Sequence, residues 1–121
     1  MSTPSPALPT VPHRETPLAG WGRHPIENCL VTRPTTLERI RRCVLDDWAP
    51  TLIPRGLGRA YGDPALNRDQ GVIDLTGFHH FLHFDPTSGR LTAEAGAAGA
   101  DLMHTFLTRG WAGPTTPGTR H

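Results

Sequence analysis

The chain has 121 residues, 36% of them hydrophobic, with 13 glycines, 13 prolines and a formal net charge of +1. A chain of this length holds one modest core that buries roughly two-thirds of its unfolded surface. Gly and Pro together make up about a fifth of it, against roughly 12% in average usage, so loops are prominent. All twelve basic residues are arginines, scattered singly except for Arg41 and Arg42. No stripe that could track a phosphate backbone results, and nucleic acid is not an expected partner.

From Met1 to about Pro17 the sequence is rich in Pro, Ser and Thr and lacks the apolar area that offsets ordering. It reads as a disordered tail, with the folded part from 18 to 121. No signal-peptide core and no membrane span are recognisable, so a cytoplasmic location is the default expectation. Asn28 to Thr32 is a short strand that meets Arg33-Pro34, and Thr35 with Glu38 forms a capping box at a helix start. Leu37, Ile40, Val44, Leu45 and Trp48 recur at intervals of three and four, which predicts one apolar stripe on a helix of about three to four turns ended by Ala49-Pro50.

Thr51 to Pro54 and Gly71 to Thr76 are two further short strands. Phe81 to Asp85 and Arg90 to Ala95 flank Pro86-Thr87-Ser88-Gly89 and predict a hairpin. Ala100 to Arg109 carries Leu102, Met103, Phe106 and Leu107 on one side, has Asp101 near its start and is stopped by Gly110, as a second helix would be. Trp111 to His121 is loop. The order β-α-β-β-β-β-α-loop predicts an α+β fold, a small mixed sheet with two covering helices.

The most informative stretch is Pro54, Arg55, Gly56, Leu57, Gly58, Arg59, Ala60, Tyr61, Gly62, Asp63 and Pro64. Gly56, Gly58 and Gly62 permit positive φ and close approach of backbone N–H groups to an anion, so the loop is a candidate phosphate cradle. A dinucleotide fingerprint is ruled out because Tyr61 stands at its third glycine position and Pro64 interrupts any helix behind it. A Walker loop needs a lysine, and the chain has none. A glycine-rich connection without chemistry is the competing reading.

His79, His80 and His83 form H-H-x-x-H, an incomplete metal shell at a turn where side chains diverge, so they are expected to be solvated. His104 is expected on the surface of the second helix. Cys29 and Cys43 have no C-x-x-C spacing and read as buried, inert thiols.

The run from Arg55 to Asp63, Trp21-Gly22-Arg23 upstream, G-V-I-D-L-T from Gly71 to Thr76, A-E-A-G-A from Ala93 to Ala97, and T-P-G-T-R from Thr116 to Arg120 occur in one order over about residues 18 to 121. Together they resemble FAD-linked oxidoreductases of the p-cresol methylhydroxylase and vanillyl-alcohol-oxidase superfamily, and within it the decaprenylphosphoryl-β-D-ribose oxidases. The resemblance implies the first lobe of an FAD-binding domain. In it, residues 54–64 wrap the FAD pyrophosphate through backbone amides, and Pro117, Gly118 and Thr119 approach the flavin from a second loop. Arg55 and Arg59 would support the loop or offset phosphate charge, with a salt-bridging surface role as the alternative for Arg55.

Many members of that superfamily attach the flavin covalently through a histidine, as R-x-G-G-H. Here the position is Arg59, whose guanidinium stays protonated and cannot act as the nucleophile, so FAD is expected to be held non-covalently. The resemblance further implies a second lobe and a substrate domain, in the same or a separate chain. The groups that act on substrate lie there, so no catalytic residue is assigned. The implied reaction is oxidation of a secondary alcohol on a sugar by hydride transfer to FAD. A truncated, non-catalytic remnant with little or no FAD binding remains the alternative.

Overall fold

The computed structural model describes residues 11–111. Strand β1 (Arg14–Ala19) runs antiparallel to β2 (Ile26–Thr32), with Thr16 opposite Cys29. Pro34 cannot extend the β2 ladder, and the chain turns into helix α1 (Leu37–Leu45). Strand β3 (Leu52–Arg55) follows, and then, after the glycine-rich loop, β4 (Gly71–Asp74). β4 inserts between β2 and β3 and runs parallel to both, so the sheet order is β1-β2-β4-β3. The outer strands β1 and β3 each contain a proline, Pro17 and Pro54.

The Asp74 carboxylate accepts the Thr76 N–H at 2.9 Å and the Thr76 hydroxyl at 2.7 Å, which starts a 3-10 turn, Leu75–Gly77. A hairpin of β5 (Phe81–Phe84) and β6 (Leu91–Ala93) comes next, then helix α2 (Gly99–Phe106) and a second 3-10 turn, Leu107–Arg109. The hairpin meets α2 through aromatic rings: Phe106 lies 4.6 Å from Phe84 and 5.5 Å from Phe81, centroid to centroid. The architecture is α+β, with a mixed four-stranded sheet and two helices.

Because successive strand residues face opposite sides, the parallel register puts Leu30, Leu52 and Ile73 on one face of the sheet. There they pack with Cys43 of α1, Val11 and Trp48. The Trp48 indole N–H donates to the Cys43 carbonyl at 2.8 Å, so the ring is buried without an unsatisfied donor. Cys29 and Val72 lie on the opposite face and are fully buried.

Three expectations are corrected. The folded part begins before residue 18, since β1 starts at Arg14 and Val11 belongs to the core. Composition hid this strand because Pro17 breaks its pattern, yet an outer strand accommodates proline. Helix α1 is capped by Thr36, whose Oγ1 accepts the Arg39 N–H at 3.2 Å, one residue later than the Thr35 and Glu38 box. Its apolar stripe does not face the sheet. Leu37, Val44 and Leu45 are exposed, the helix ends before Trp48, and the inward residue is Cys43 with half-buried Ile40 beside it. The crossover from β2 to β3 sets which side of α1 meets the sheet, and hydrophobicity along the helix does not report that.

These positions separate a packing role from mere apolarity. Val72→Ala should lower unfolding free energy by roughly 2 kcal/mol, the transfer term for the lost methyls plus the cavity left behind. Leu45→Ala should change it by less than about 0.5 kcal/mol. Urea unfolding midpoints of the two variants check this, and equal losses would mean that α1 packs through its apolar stripe after all.

Candidate functional site

The glycine-rich loop leaves the sheet at the end of β3 and returns at the start of β4, and each end is tied down. At the leaving end, the Arg55 guanidinium donates to the Ala65 carbonyl at 2.9 Å and to the Ala19 carbonyl at 2.7 Å. At the returning end, the Asn67 amide donates to the Gly71 carbonyl at 2.9 Å and to Thr51, while the Gln70 side chain accepts the Thr51 N–H at 3.1 Å. The Asn67 N–H points to the buried Cys29 sulfur at 3.5 Å.

Between these anchors Gly58 and Gly62 have φ of +70° and +71°, a region that L side chains rarely adopt. Gly58 is buried, and a Cβ on it would run into the Arg55 guanidinium. Pro54, Gly56, Leu57, Arg59, Ala60, Tyr61, Gly62, Asp63 and Pro64 are exposed, and beside Gly56 there is open space. The loop therefore has a packed inner side at Gly58 and an open outer side.

Its polar groups divide the same way. The Ala60 carbonyl accepts the Trp21 N–H at 2.9 Å and the Asp63 carbonyl accepts the Leu66 N–H at 2.9 Å. From Leu57 to Asp63 no backbone N–H donates a hydrogen bond to another described residue. A loop with two carbonyls engaged and a row of N–H groups without a described partner suits an anion with several oxygens.

The family model described as an FAD binding domain matches residues 30–121, three-quarters of the chain including this loop. The chain belongs to that family. Over 106 residues it is 34% identical to decaprenylphosphoryl-beta-D-ribose oxidase of Mycolicibacterium smegmatis, in an alignment covering 85% of this chain and 23% of the relative. The domain thus spans about a quarter of that relative's length, and its cofactor is FAD.

Within this FAD-binding domain, the two arginines separate. Arg55 supports the loop from beneath, and among the described residues it forms no ion pair, so the surface salt-bridge alternative does not hold. Arg59 is exposed, with its guanidinium carbon 5.6 Å from the centroid of the Trp21 ring. Pro117, Gly118 and Thr119 lie outside the described residues. The anchors Asn67, Ala19 and Ala65 escaped sequence reasoning, two of them because they act through carbonyls that every residue type carries. Trp21 was visible only as part of a family motif.

Away from the loop, the three histidines do not converge. The His80 ring meets the Glu94 carboxylate at 2.6 Å, the His80 N–H donates to the same oxygen at 2.8 Å, and the His79 ring stacks on His80. Burial pushes the Glu94 carboxyl up, but the His80 hydrogen bonds pull it down further, so it sits below its ordinary value. Among the described residues no three His, Cys, Asp or Glu side chains come together as a metal site. Burial pushes the Cys43 thiol up, which keeps it protonated and unreactive. His104 is exposed on α2. No helix among the described residues is long and apolar enough to cross a membrane.

Because Arg55 and Gly58 share one space, their substitutions should behave alike. Arg55→Ala removes two charged-donor hydrogen bonds and should cost about 2 kcal/mol. Arg55→Lys should not restore it, since an ammonium lacks the rigid fork that reaches both carbonyls. Gly58→Val should cost a similar amount by displacing the guanidinium and straining φ. Chemical denaturation of the three variants checks this, and a fully stable Gly58→Val would show that the Arg55 fork is dispensable.

Proposed function

We propose that residues 54–64 hold the FAD pyrophosphate without a covalent bond, and that this domain serves an oxidoreductase acting on a secondary alcohol, on a sugar. The observation that carries the reading is the row of N–H groups from Leu57 to Asp63 that bind no described residue, on a loop of an FAD-binding family. Leu57, Gly58, Ala60, Tyr61 and Gly62 would meet phosphate oxygens through backbone, with Gly58 and Gly62 held to glycine by their positive φ. Arg59, exposed beside the loop, supplies the positive charge that offsets the pyrophosphate, since the Arg55 guanidinium is committed to two carbonyls. Pro117, Gly118 and Thr119 would close on the flavin from a second loop.

Bound FAD supplies the two-electron acceptor for alcohol oxidation. The chain's own part is to bind and orient it. The proton-accepting groups and the sugar contacts belong to a second lobe and a substrate domain, in keeping with the sugar named in the relative. Arg59 occupies the position where superfamily members with a covalent flavin carry histidine, and a guanidinium that remains protonated forms no such bond.

Acid precipitation of the flavin-loaded protein should therefore release all of its yellow colour into the supernatant. Flavin fluorescence retained on the denatured polypeptide would overturn the non-covalent reading.

The isolated 121-residue chain should bind FAD more weakly than about 1 μM, roughly −8 kcal/mol, and should show no dye reduction with sugars or alcohols. One lobe leaves the isoalloxazine ring in water, without the orientation and preorganised electrostatics that accelerate the reaction. Calorimetric titration and dye assays test this. Submicromolar binding with turnover would show that the chain is sufficient alone, and no binding at millimolar FAD would count against the loop as the cofactor site.

A further inference from the structure

The family match begins at residue 30, so β1 and the residues that follow it lie before the matched region. Those residues nevertheless form the surface on which the loop rests. The Ala19 carbonyl accepts from Arg55, at the base of the loop. Gly20 is buried, and a Cβ there would lie 2.5 Å from the Ala60 carbonyl oxygen and 2.7 Å from that of Gly62. The Trp21 N–H donates to the Ala60 carbonyl at 2.9 Å, and its ring carries the Arg59 guanidinium at 5.6 Å. Three successive residues thus each meet the loop by a different means.

Peptide geometry turns this support into a directional effect. In a planar trans peptide the C=O and the following N–H point in opposite directions. Holding the Ala60 and Gly62 carbonyls against Gly20 therefore aims the Tyr61 and Asp63 N–H groups away from the protein body, toward the open side of the loop.

We infer that Gly20 and Trp21 are positioning residues of the cofactor loop, which fix the Ala60–Gly62 arm so that the Tyr61 and Asp63 N–H groups face the FAD pyrophosphate. The inference rests on the proposed FAD site but is tested separately from it. Only glycine fits at 20, because any side chain displaces the two carbonyls it abuts. Trp21 adds a hydrogen bond that fixes one of them and a cation–π contact that keeps Arg59 alongside.

The test is limited trypsin digestion of the full 121-residue chain and its Gly20→Ala variant, with amide NMR of both during FAD titration. Gly20→Ala should raise cleavage at Arg59–Ala60 about tenfold, since cleavage follows the population of the opened loop. Cleavage after Arg39 and Arg90 should stay unchanged, which a general loss of stability would not permit. FAD should shift the Tyr61 and Asp63 amides in the parent chain and shift them less in the variant.

If Gly20→Ala fails to fold, Trp21→Ala and Trp21→Phe decide the matter. Alanine should raise cleavage at Arg59, and phenylalanine, which restores a ring under the guanidinium, should reverse it. Unchanged cleavage at Arg59, or an equal rise at every arginine, overturns the inference. If FAD leaves the parent's Tyr61 and Asp63 amides unmoved, the pyrophosphate reading fails, and the digestion pattern alone still decides whether Gly20 and Trp21 position the arm.

Discussion

The Arg55 guanidinium, at the end of β3, reaches out to two carbonyls from different parts of the chain, Ala19 after β1 and Ala65 beyond the glycine-rich loop. Without that fork the loop has no floor on its leaving side. Gly58 passes over the guanidinium so closely that no side chain could be added, and it does so at positive φ. The loop is therefore shaped from below by a cation whose hydrogen-bonding capacity is directed at the protein's own backbone. A charge seen in the sequence of a phosphate loop is easily assigned to the phosphate, and here the fold uses it first.

The loop is held at its other end as well. Asn67 and Gln70 hold the returning end against Thr51 and Gly71, so both feet of the loop stand on neighbouring strands of one sheet. Parallel pairing of β3 and β4 sets those feet at opposite ends of the paired strands, since the chain must leave one strand end and return to the opposite end of its neighbour. The loop spans the sheet in doing so, and from Leu57 to Asp63 its N–H groups have no partner among the described residues.

Much of this was legible in the sequence. Glycine spacing marked the loop, Pro86 to Gly89 marked the hairpin, and the strands at Asn28, Thr51 and Gly71 stand where apolar runs end in turn residues. Family motifs supplied the cofactor, which composition and periodicity could not. What stayed hidden had physical causes. β1 is polar and contains proline, so its pairing is visible only once β2 is beside it. The inward side of α1 is chosen by its crossover, which left Leu37, Val44 and Leu45 exposed against the pattern. The partners of Arg55 are carbonyls, which carry no residue signature, and the importance of Gly20 comes from a contact with residues forty positions away.

The prolines of the outer strands carry one further consequence. A proline has no N–H to give to a ladder, so Pro17 and Pro54 fit their strands only with the nitrogen on the side away from the neighbour, β2 or β4. Each rim of the sheet therefore lacks a donor at its middle, where an incoming extended peptide would need one. Growth by strand addition is blocked at both rims, and the sheet resists templating its own aggregation while its loops stay open.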